Sequence, residues 1–184
     1  MARPKPWIKF TVKDYMTTPE DKRYQLLDGE MILAPSPTER HQSIAAQLFV
    51  AVHRYVQDNS LGRVWFAPLD VVLSNHDVAQ PDILFVSNAR SGIITEANIQ
   101  GGPDLVVEVL SPATSGYDRG YKQVLYSRHG VREYWLVDPG AETVEVLAQD
   151  QRGMALHATY HVGETLTSPL LIGLSIDLAQ IFRS

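Results

Sequence analysis

The run from Asp104 to Leu110 reads DLVVEVL and constrains the fold more than any other part of the chain. Apart from Asp104 and Glu108, every residue in it is valine or leucine. Successive strand residues point to opposite faces of a sheet, so a continuous apolar run is typical of a strand covered on both faces. We therefore expect a central strand with other layers on either side, and Glu108 is a carboxylate inside it.

The segments before this strand predict a hairpin, a long helix and two further strands. Asp28-Gly29 is a common two-residue turn, here between the apolar arms of residues 23–34. In residues 36–39 an N-cap Ser36 is followed by Pro37 and, three residues after the cap, by Glu39, so we expect a helix from there to about residue 58. The runs 64–73 and 78–86 then predict an antiparallel pair of strands.

The segments after the central strand complete the predicted fold. Residues 117–129 are typical of a helix closed by Gly130, residues 131–137 of a strand, residues 142–160 of a β-meander and residues 177–182 of a short helix. This order predicts an α/β (α+β) fold in which a mixed central sheet is flanked by helices, with an N-terminal hairpin and a C-terminal meander. At 184 residues the chain has the size of one domain, so we expect a single domain over residues 1–184.

The composition excludes several classes of protein. There is no cysteine, so a disulfide framework and a thiolate zinc site are both excluded. No apolar run has membrane-spanning length, and Pro4 and Pro6 interrupt the opening segment, so we expect a cytoplasmic protein without a membrane partner. The formal net charge of -5 disfavours a broad basic face for nucleic acid, although bound cations or a local basic patch could offset it.

Two carboxylates in apolar runs are the strongest candidates for chemistry. Asp82 follows Pro81 and precedes Ile83, Leu84, Phe85 and Val86, and Glu108 lies in the run described above. A buried, unpaired carboxylate either takes up a proton or needs a cation. If the two acids face the same way on neighbouring strands, they could share Mg²⁺ or Mn²⁺, which keeps waters for attack on phosphate. The alternative for either acid alone is a strand end beside an Arg or Lys partner.

Lys122 lies on the helix predicted next in the chain. At roughly 100° per residue, it shares one side of that helix with three other residues: Asp118, Tyr126 and His129. We predict that this side faces Glu108. The alternative is a solvated surface with an Asp118–Lys122 pair four residues apart.

The histidines give one secondary candidate. His41 lies near the start of the first long helix and could project into a site, or it could have only a capping or surface role. His157 and His161 have the spacing of helical zinc ligands, but they fall in a strand-like segment without an obvious third ligand, so we set a zinc site aside.

These residues together resemble the Uma-two family of restriction-endonuclease-like proteins. The matching motifs are Asp28-Gly29-Glu30, His41 after residues 35–37, Pro81-Asp82, Glu108-Val109-Leu110-Ser111-Pro112, Asp118 with Lys122, and the run 130–139 that reads GVREYWLVDP. The resemblance implies the fold of the PD-(D/E)XK nucleases and a Mg²⁺-dependent or Mn²⁺-dependent endonuclease that acts on DNA. It assigns Asp82 and Glu108 as metal ligands and places Glu30 and His41 near the site.

The chain departs from the parent nuclease pattern at one position. The lysine expected two residues after the glutamate is replaced by Leu110, which faces the same side of the strand as Glu108. The resemblance implies that Lys122, from the following helix, takes over the role of positioning or activating the attacking water. Because the lysine is displaced and the net charge is negative, an alternative stays open. The chain could be a non-catalytic nucleic-acid-binding or regulatory module that retains the nuclease fold. A homo-oligomer is compatible with either function.

Overall fold

The structure is a computed structural model that describes residues 8–19 and 23–183. Their helices are α1 (Val12–Tyr15), α2 (Glu39–Asp58), α3 (Ser115–Arg119), α4 (Tyr121–Arg128) and α5 (Leu178–Ile181), with a 3-10 helix over Asn88–Ile93. The strands are β1 (Tyr24–Leu27), β2 (Glu30–Leu33), β3 (Gly62–Phe66), β4 (Val71–Ser74), β5 (Asp77–Ala79), β6 (Ile83–Ser87), β7 (Ile99–Gln100), β8 (Leu105–Val109), β9 (Glu133–Asp138), β10 (Thr143–Asp150), β11 (Gly153–His161), β12 (Thr165–Thr167) and β13 (Ser175–Asp177). Pro4 and Pro6 of the opening segment lie outside the described residues.

A six-stranded mixed sheet forms the centre of the fold, in the order β11-β10-β9-β8-β6-β3. β8 and β9 run parallel, and the other neighbours in this sheet are antiparallel. A five-stranded sheet has the order β2-β1-β5-β4-β7 and contains the predicted N-terminal hairpin. The predicted C-terminal meander is formed by β9, β10 and β11. The mixed sheet with helices and both flanking β elements is therefore confirmed.

The two faces of the six-stranded sheet belong to different hydrophobic cores. One core joins α2 and the C-terminal segment to alternate residues of β8: Ile44, Leu48, Val52, Val56, Leu105, Val107, Val109 and Leu178. The other joins the opposite face to α4 and the five-stranded sheet: Leu73, Ala79, Leu84, Val86, Val106, Leu125, Tyr126 and Tyr134. All five residues of β8 are buried. A strand covered on both faces, as the apolar run predicts, fixes the position of Glu108 from two sides.

Each of the two long strands predicted over residues 64–73 and 78–86 is broken into two. Their antiparallel pairing is confirmed, because β3 pairs with β6 and β4 pairs with β5. The first pair belongs to the six-stranded sheet and the second to the five-stranded sheet. The ribbon formed by these two antiparallel chain segments therefore passes from one sheet to the other. Pro68 and Pro81 lie at the two breaks, where proline cannot donate a ladder hydrogen bond. Asp82 lies at the second break, immediately before β6, rather than inside a continuous strand.

Two predicted helix boundaries also differ. α2 begins at Glu39, and Thr38 rather than Ser36 is its N-cap, with the Thr38 hydroxyl accepting from the His41 N–H. The helix predicted over residues 117–129 is divided at Gly120 into α3 and α4. Gly120 has φ -116° and ψ -90°, outside the α-helical region, which explains the division. In the described part of the chain, no helix is long and apolar enough to cross a membrane.

Two valines of α2 test whether this helix packs against β8 in the first hydrophobic core. Val52 is 0% exposed and Val50 is 60% exposed. We expect Val52→Ala to lower the free energy of unfolding by about 2 kcal/mol, because it leaves a cavity between α2 and β8. Val50→Ala is the matched control and should change it by less than about 0.5 kcal/mol, since alanine has the higher helix propensity and little burial is lost. Urea unfolding of both variants measures the difference, and equal losses would contradict the proposed packing of α2.

Candidate active site

Asp82 and Glu108 lie opposite each other on neighbouring strands. β6 and β8 pair antiparallel with Ile83 opposite Val107, so the next pair outward is Asp82 and Glu108. The Val109 N–H donates to Asp82 Oδ2 at 2.7 Å, which holds the aspartate against the end of β8. The two acids therefore meet at one edge of the β6–β8 pair, as the sequence predicts.

Lys122 completes a buried cluster of charges around Glu108. Its Nζ lies 2.8 Å from Glu108 Oε1 and 2.9 Å from Asp118 Oδ1. The hydroxyl of Tyr126 also donates to Glu108 Oε1, at 2.8 Å. Lys122 is 1% exposed, so the alternative of a solvated Asp118–Lys122 pair is wrong. Of the four residues predicted to share a helix side, His129 lies at the C-cap of α4, and the other three converge near Glu108.

The charges in this cluster are not balanced by Lys122 alone. Burial raises the pKa of Glu108 from its usual 4.5 to about 8, and the charges of Asp118 and Asp82 act in the same direction against Lys122. Burial lowers the pKa of Lys122, but the charges of Glu108 and Asp118 outweigh it and raise the pKa above its usual value. Lys122 is therefore a stable cation. The raised pKa of Glu108 indicates that Lys122 alone does not offset the burial of this carboxyl group.

His41 lies in the first turn of α2 and reaches Asp82. Its Nε2 is 3.3 Å from Asp82 Oδ2, and its side chain is 13% exposed. Burial lowers the pKa of His41, but the hydrogen bond and charge of Asp82 outweigh burial and raise the pKa above its usual value. The Thr38 cap binds the backbone of His41, and the ring is directed to the site. The structure thus brings His41, Asp82, Glu108 and Lys122 together.

Glu30 is not brought to this site. The site lies in a cavity of about 640 Å³, and the hairpin contributes Arg23, Gln25 and Ala34 to its lining, all from the open end of the hairpin. Glu30 is the first residue of β2, beside the turn. It is four strand residues from Ala34, a distance of roughly 13 Å at about 3.3 Å per residue. The prediction that Glu30 belongs to the site was based on the resemblance, and the geometry does not support it.

Several lining residues were missed by the sequence analysis. Besides Arg23, two arginines of the helices line the cavity, where Arg40 Nη2 is 2.7 Å from Glu142 Oε1 and Arg119 Nη1 is 2.7 Å from Glu145 Oε1. Gln80, directly before Pro81-Asp82, also lines the cavity. The position of Arg40 beside His41 and of Arg119 beside Asp118 is the only sequence signal that could have indicated them.

The donor set fits a magnesium-type ion better than zinc. In the described residues, no group of three or more His, Cys, Asp or Glu side chains is arranged to hold a metal ion. Mg²⁺, however, is commonly bound by one or two carboxylates and keeps several waters. The hydrogen bonds above engage Asp82 Oδ2 and Glu108 Oε1, so Asp82 Oδ1 and Glu108 Oε2 are the candidate ligands. Leu110 is 7% exposed and contributes an apolar wall to the cavity.

Replacing Glu108 with glutamine tests the charge imbalance. The folded protein holds the Glu108 proton up to about pH 8, whereas the unfolded chain releases it near pH 4.5, so the folded state loses stability as pH rises between these values. Glu108→Gln removes this loss, and the amide oxygen can still accept from Lys122 and Tyr126. In EDTA, we expect the variant to gain roughly 3 °C in Tm, or about 1 kcal/mol or more, above about pH 8, with a smaller gain near pH 5. If the Tm of parent and variant changes with pH in the same way, the charge imbalance at Glu108 is contradicted. Glu96→Gln, at an exposed site, is the control.

Comparisons with known proteins concern the family and the fold of this chain. The family model Uma2, described as "Putative restriction endonuclease", matches residues 12–179. An uncharacterised protein of Synechocystis is 25% identical over 182 residues, with 97% of this chain and 94% of that protein covered. A crystal structure of a "putative nuclease" belonging to DUF820 from Anabaena variabilis has a TM-score of 0.78 at 21% identity, covering 94% of this chain and 97% of that one, which shows a shared fold. With a family match over nearly its whole length, this chain belongs to the Uma2 family, the same family that its sequence motifs indicate.

Proposed function

We propose that this protein hydrolyses phosphodiester bonds in DNA with Mg²⁺ or Mn²⁺ as its cofactor. The observation that carries the proposal is the convergence of Asp82 and Glu108 from neighbouring strands on one cavity, with the buried cation Lys122 in contact with Glu108. Membership of a family described as restriction endonucleases supports nucleic acid as the substrate class.

Asp82 and Glu108 are the proposed metal ligands. Each has one oxygen in the hydrogen bonds that orient it, which leaves the other oxygen of each carboxylate directed to ligand binding. A bound divalent ion would polarise the phosphate and make its own water a stronger nucleophile. It would also supply the positive charge that Lys122 cannot, which favours the ionised form of Glu108. His41 holds Asp82 from the other side and acts as a positioning residue.

Lys122 is proposed to stabilise the negative charge that develops at the phosphate or on the attacking water. Its position is fixed by Glu108 and Asp118, so it needs little reorganisation during the reaction. A fixed donor of this kind in a water-poor site typically contributes about 3 kcal/mol, or roughly 10²-fold in rate. Its burial beside Glu108 also supports the view that a lysine from α4 replaces the one absent at position 110.

The Lys122→Ala variant separates catalysis from metal binding. We expect the variant to cleave DNA roughly 10²-fold more slowly than the parent while it still binds Mn²⁺, because neither proposed ligand is replaced and the ion itself supplies positive charge beside Glu108. A Mn²⁺-dependent cleavage assay with labelled DNA and a calorimetric titration of Mn²⁺ measure the two properties. Lys13→Ala removes an exposed lysine on α1 and is the matched control.

The Asp82→Asn variant tests whether metal binding and cleavage are lost together. It keeps an oxygen that can accept from the Val109 N–H but removes the charge, so we expect loss of both Mn²⁺ binding and cleavage. Asp58→Asn, with a side chain 68% exposed in the parent, is the control.

Full activity of Lys122→Ala would contradict the role of Lys122. DNA binding without cleavage by the parent protein would instead favour a non-catalytic module.

A further inference from the structure

The proposed reactive groups lie at the floor of a cavity and not on an open surface. Glu108 and Lys122 are 5% and 1% exposed. The cavity, about 640 Å³ in volume, is walled by residues 34–38, 109–115 and 138–140. This volume is that of a small-molecule pocket, which usually measures roughly 300–1,000 Å³. A phosphodiester has to enter the cavity to reach the acids and Lys122.

The walls of this cavity are rich in proline. Four prolines lie in them: Pro35, Pro37, Pro112 and Pro139. Proline fixes its own φ and has no N–H, so these walls resist opening and offer few backbone donors to phosphates. In B-DNA the phosphates border grooves roughly 6 and 12 Å wide, and base pairing holds each nucleotide in the stack. The phosphates of a duplex lie on its outer surface, but pairing fixes the path of both backbones, so one nucleotide cannot extend into the cavity unless it leaves the stack.

The mouth of the cavity is also unsuited to a row of duplex phosphates. Three arginines line the cavity, and two of them form short ion pairs, Arg40 with Glu142 and Arg119 with Glu145. The third, Arg23, donates to the Pro35 carbonyl, so one arginine is left without a carboxylate partner among the described residues. The formal net charge of the chain is -5. Duplex binding depends on several cations that neutralise closely spaced phosphates, and the affinity falls with each cation that is lost. A flexible single strand needs fewer such contacts, because it can present one phosphodiester at a time.

We infer that the substrate is single-stranded DNA, as a free strand, a gap or a loop, and that intact duplexes are poor substrates. The inference rests on the proposed function and specifies its substrate class. A flexible strand can extend one or two nucleotides between the proline-containing walls to Asp82, Glu108 and Lys122. A paired nucleotide would first have to be unpaired and unstacked to do the same, which costs a few kcal/mol.

The test compares one labelled oligonucleotide in three forms with Mn²⁺: single-stranded, in a perfect duplex, and in a duplex with an internal unpaired loop. We expect the single strand to be cleaved at least about tenfold faster than the duplex, since unpairing a nucleotide costs a few kcal/mol. The looped duplex should be cleaved within the loop. Unlabelled single strand should also inhibit hydrolysis of bis(p-nitrophenyl) phosphate at a concentration about tenfold lower than the duplex does. Glu108→Gln should abolish all of these activities.

The outcomes separate the inference from the proposed function. Equal cleavage of duplex and single strand would overturn the inference and leave the proposed function intact. Hydrolysis of bis(p-nitrophenyl) phosphate without cleavage of any DNA would overturn the inference and restrict the chain to small phosphodiesters. If none of the substrates is hydrolysed, the proposed function fails and the inference fails with it.

One variant tests whether the ion pairs at the mouth of the cavity weaken the binding of duplex DNA. Glu145→Gln releases Arg119 from its closest ion pair and leaves it with Asp138, whose carboxylate is 3.6 Å away. We expect the duplex to become a stronger inhibitor by a few-fold at low salt, with a steeper salt dependence, because one more cation can contact a phosphate. Glu96→Gln makes the same change of charge at an exposed residue outside the cavity lining and should have no such effect. If the two variants behave alike, the mouth charges do not exclude the duplex.

Discussion

Lys122 places a full positive charge in the interior of the protein, between Glu108 and Asp118. Removing charges from water costs several kcal/mol per ion, and only close partners with good geometry offset it. The rest of the site depends on this interaction. Glu108 can remain in the middle of an apolar strand because Lys122 and Tyr126 both donate to it. Asp118 reaches the same lysine from α3, on the other side of the Gly120 break.

The sheet supplies the second constraint. β8 lies in the interior of the six-stranded sheet, and its neighbour β6 fixes Asp82 opposite Glu108. The Val109 N–H and His41 Nε2 both contact Asp82 Oδ2. Two hydrophobic cores, one on each face of the sheet, prevent the strands from shifting in register. The fold therefore brings acids into a position that their charges alone would not favour.

The sequence predicts the parts of this structure that depend on strong local patterns. The run around Glu108 predicts a buried strand, and the Asp28-Gly29 turn predicts the hairpin. The spacing of Lys122 and Tyr126 predicts that both lie on the side of the helix that faces Glu108. Membership of the Uma2 family is confirmed by the family match. The metal and the roles of Asp82, Glu108, Lys122 and His41 remain predictions, and their juxtaposition is what the structure adds.

The features that the sequence does not predict are those that depend on tertiary structure. The ribbon that crosses between sheets at Pro68 and Pro81 looks, in sequence, like two continuous strands. Ser36 is as good an N-cap as Thr38, and the chain uses Thr38. Glu30 carries a family motif but lies at the closed end of the hairpin, away from the cavity. Arg119 contacts Glu145 and Asp138 only because α3 packs near the meander.

The central claim is that Asp82 and Glu108 hold one divalent ion beside Lys122. Anomalous diffraction from crystals soaked in Mn²⁺ tests it most directly, because the signal locates the ion without assumptions about activity. We predict a single peak between the two carboxylates, at about 2.1–2.3 Å from an oxygen of each, with Lys122 still in contact with Glu108. A peak elsewhere, or none at a Mn²⁺ concentration that saturates the protein in solution, would contradict the account.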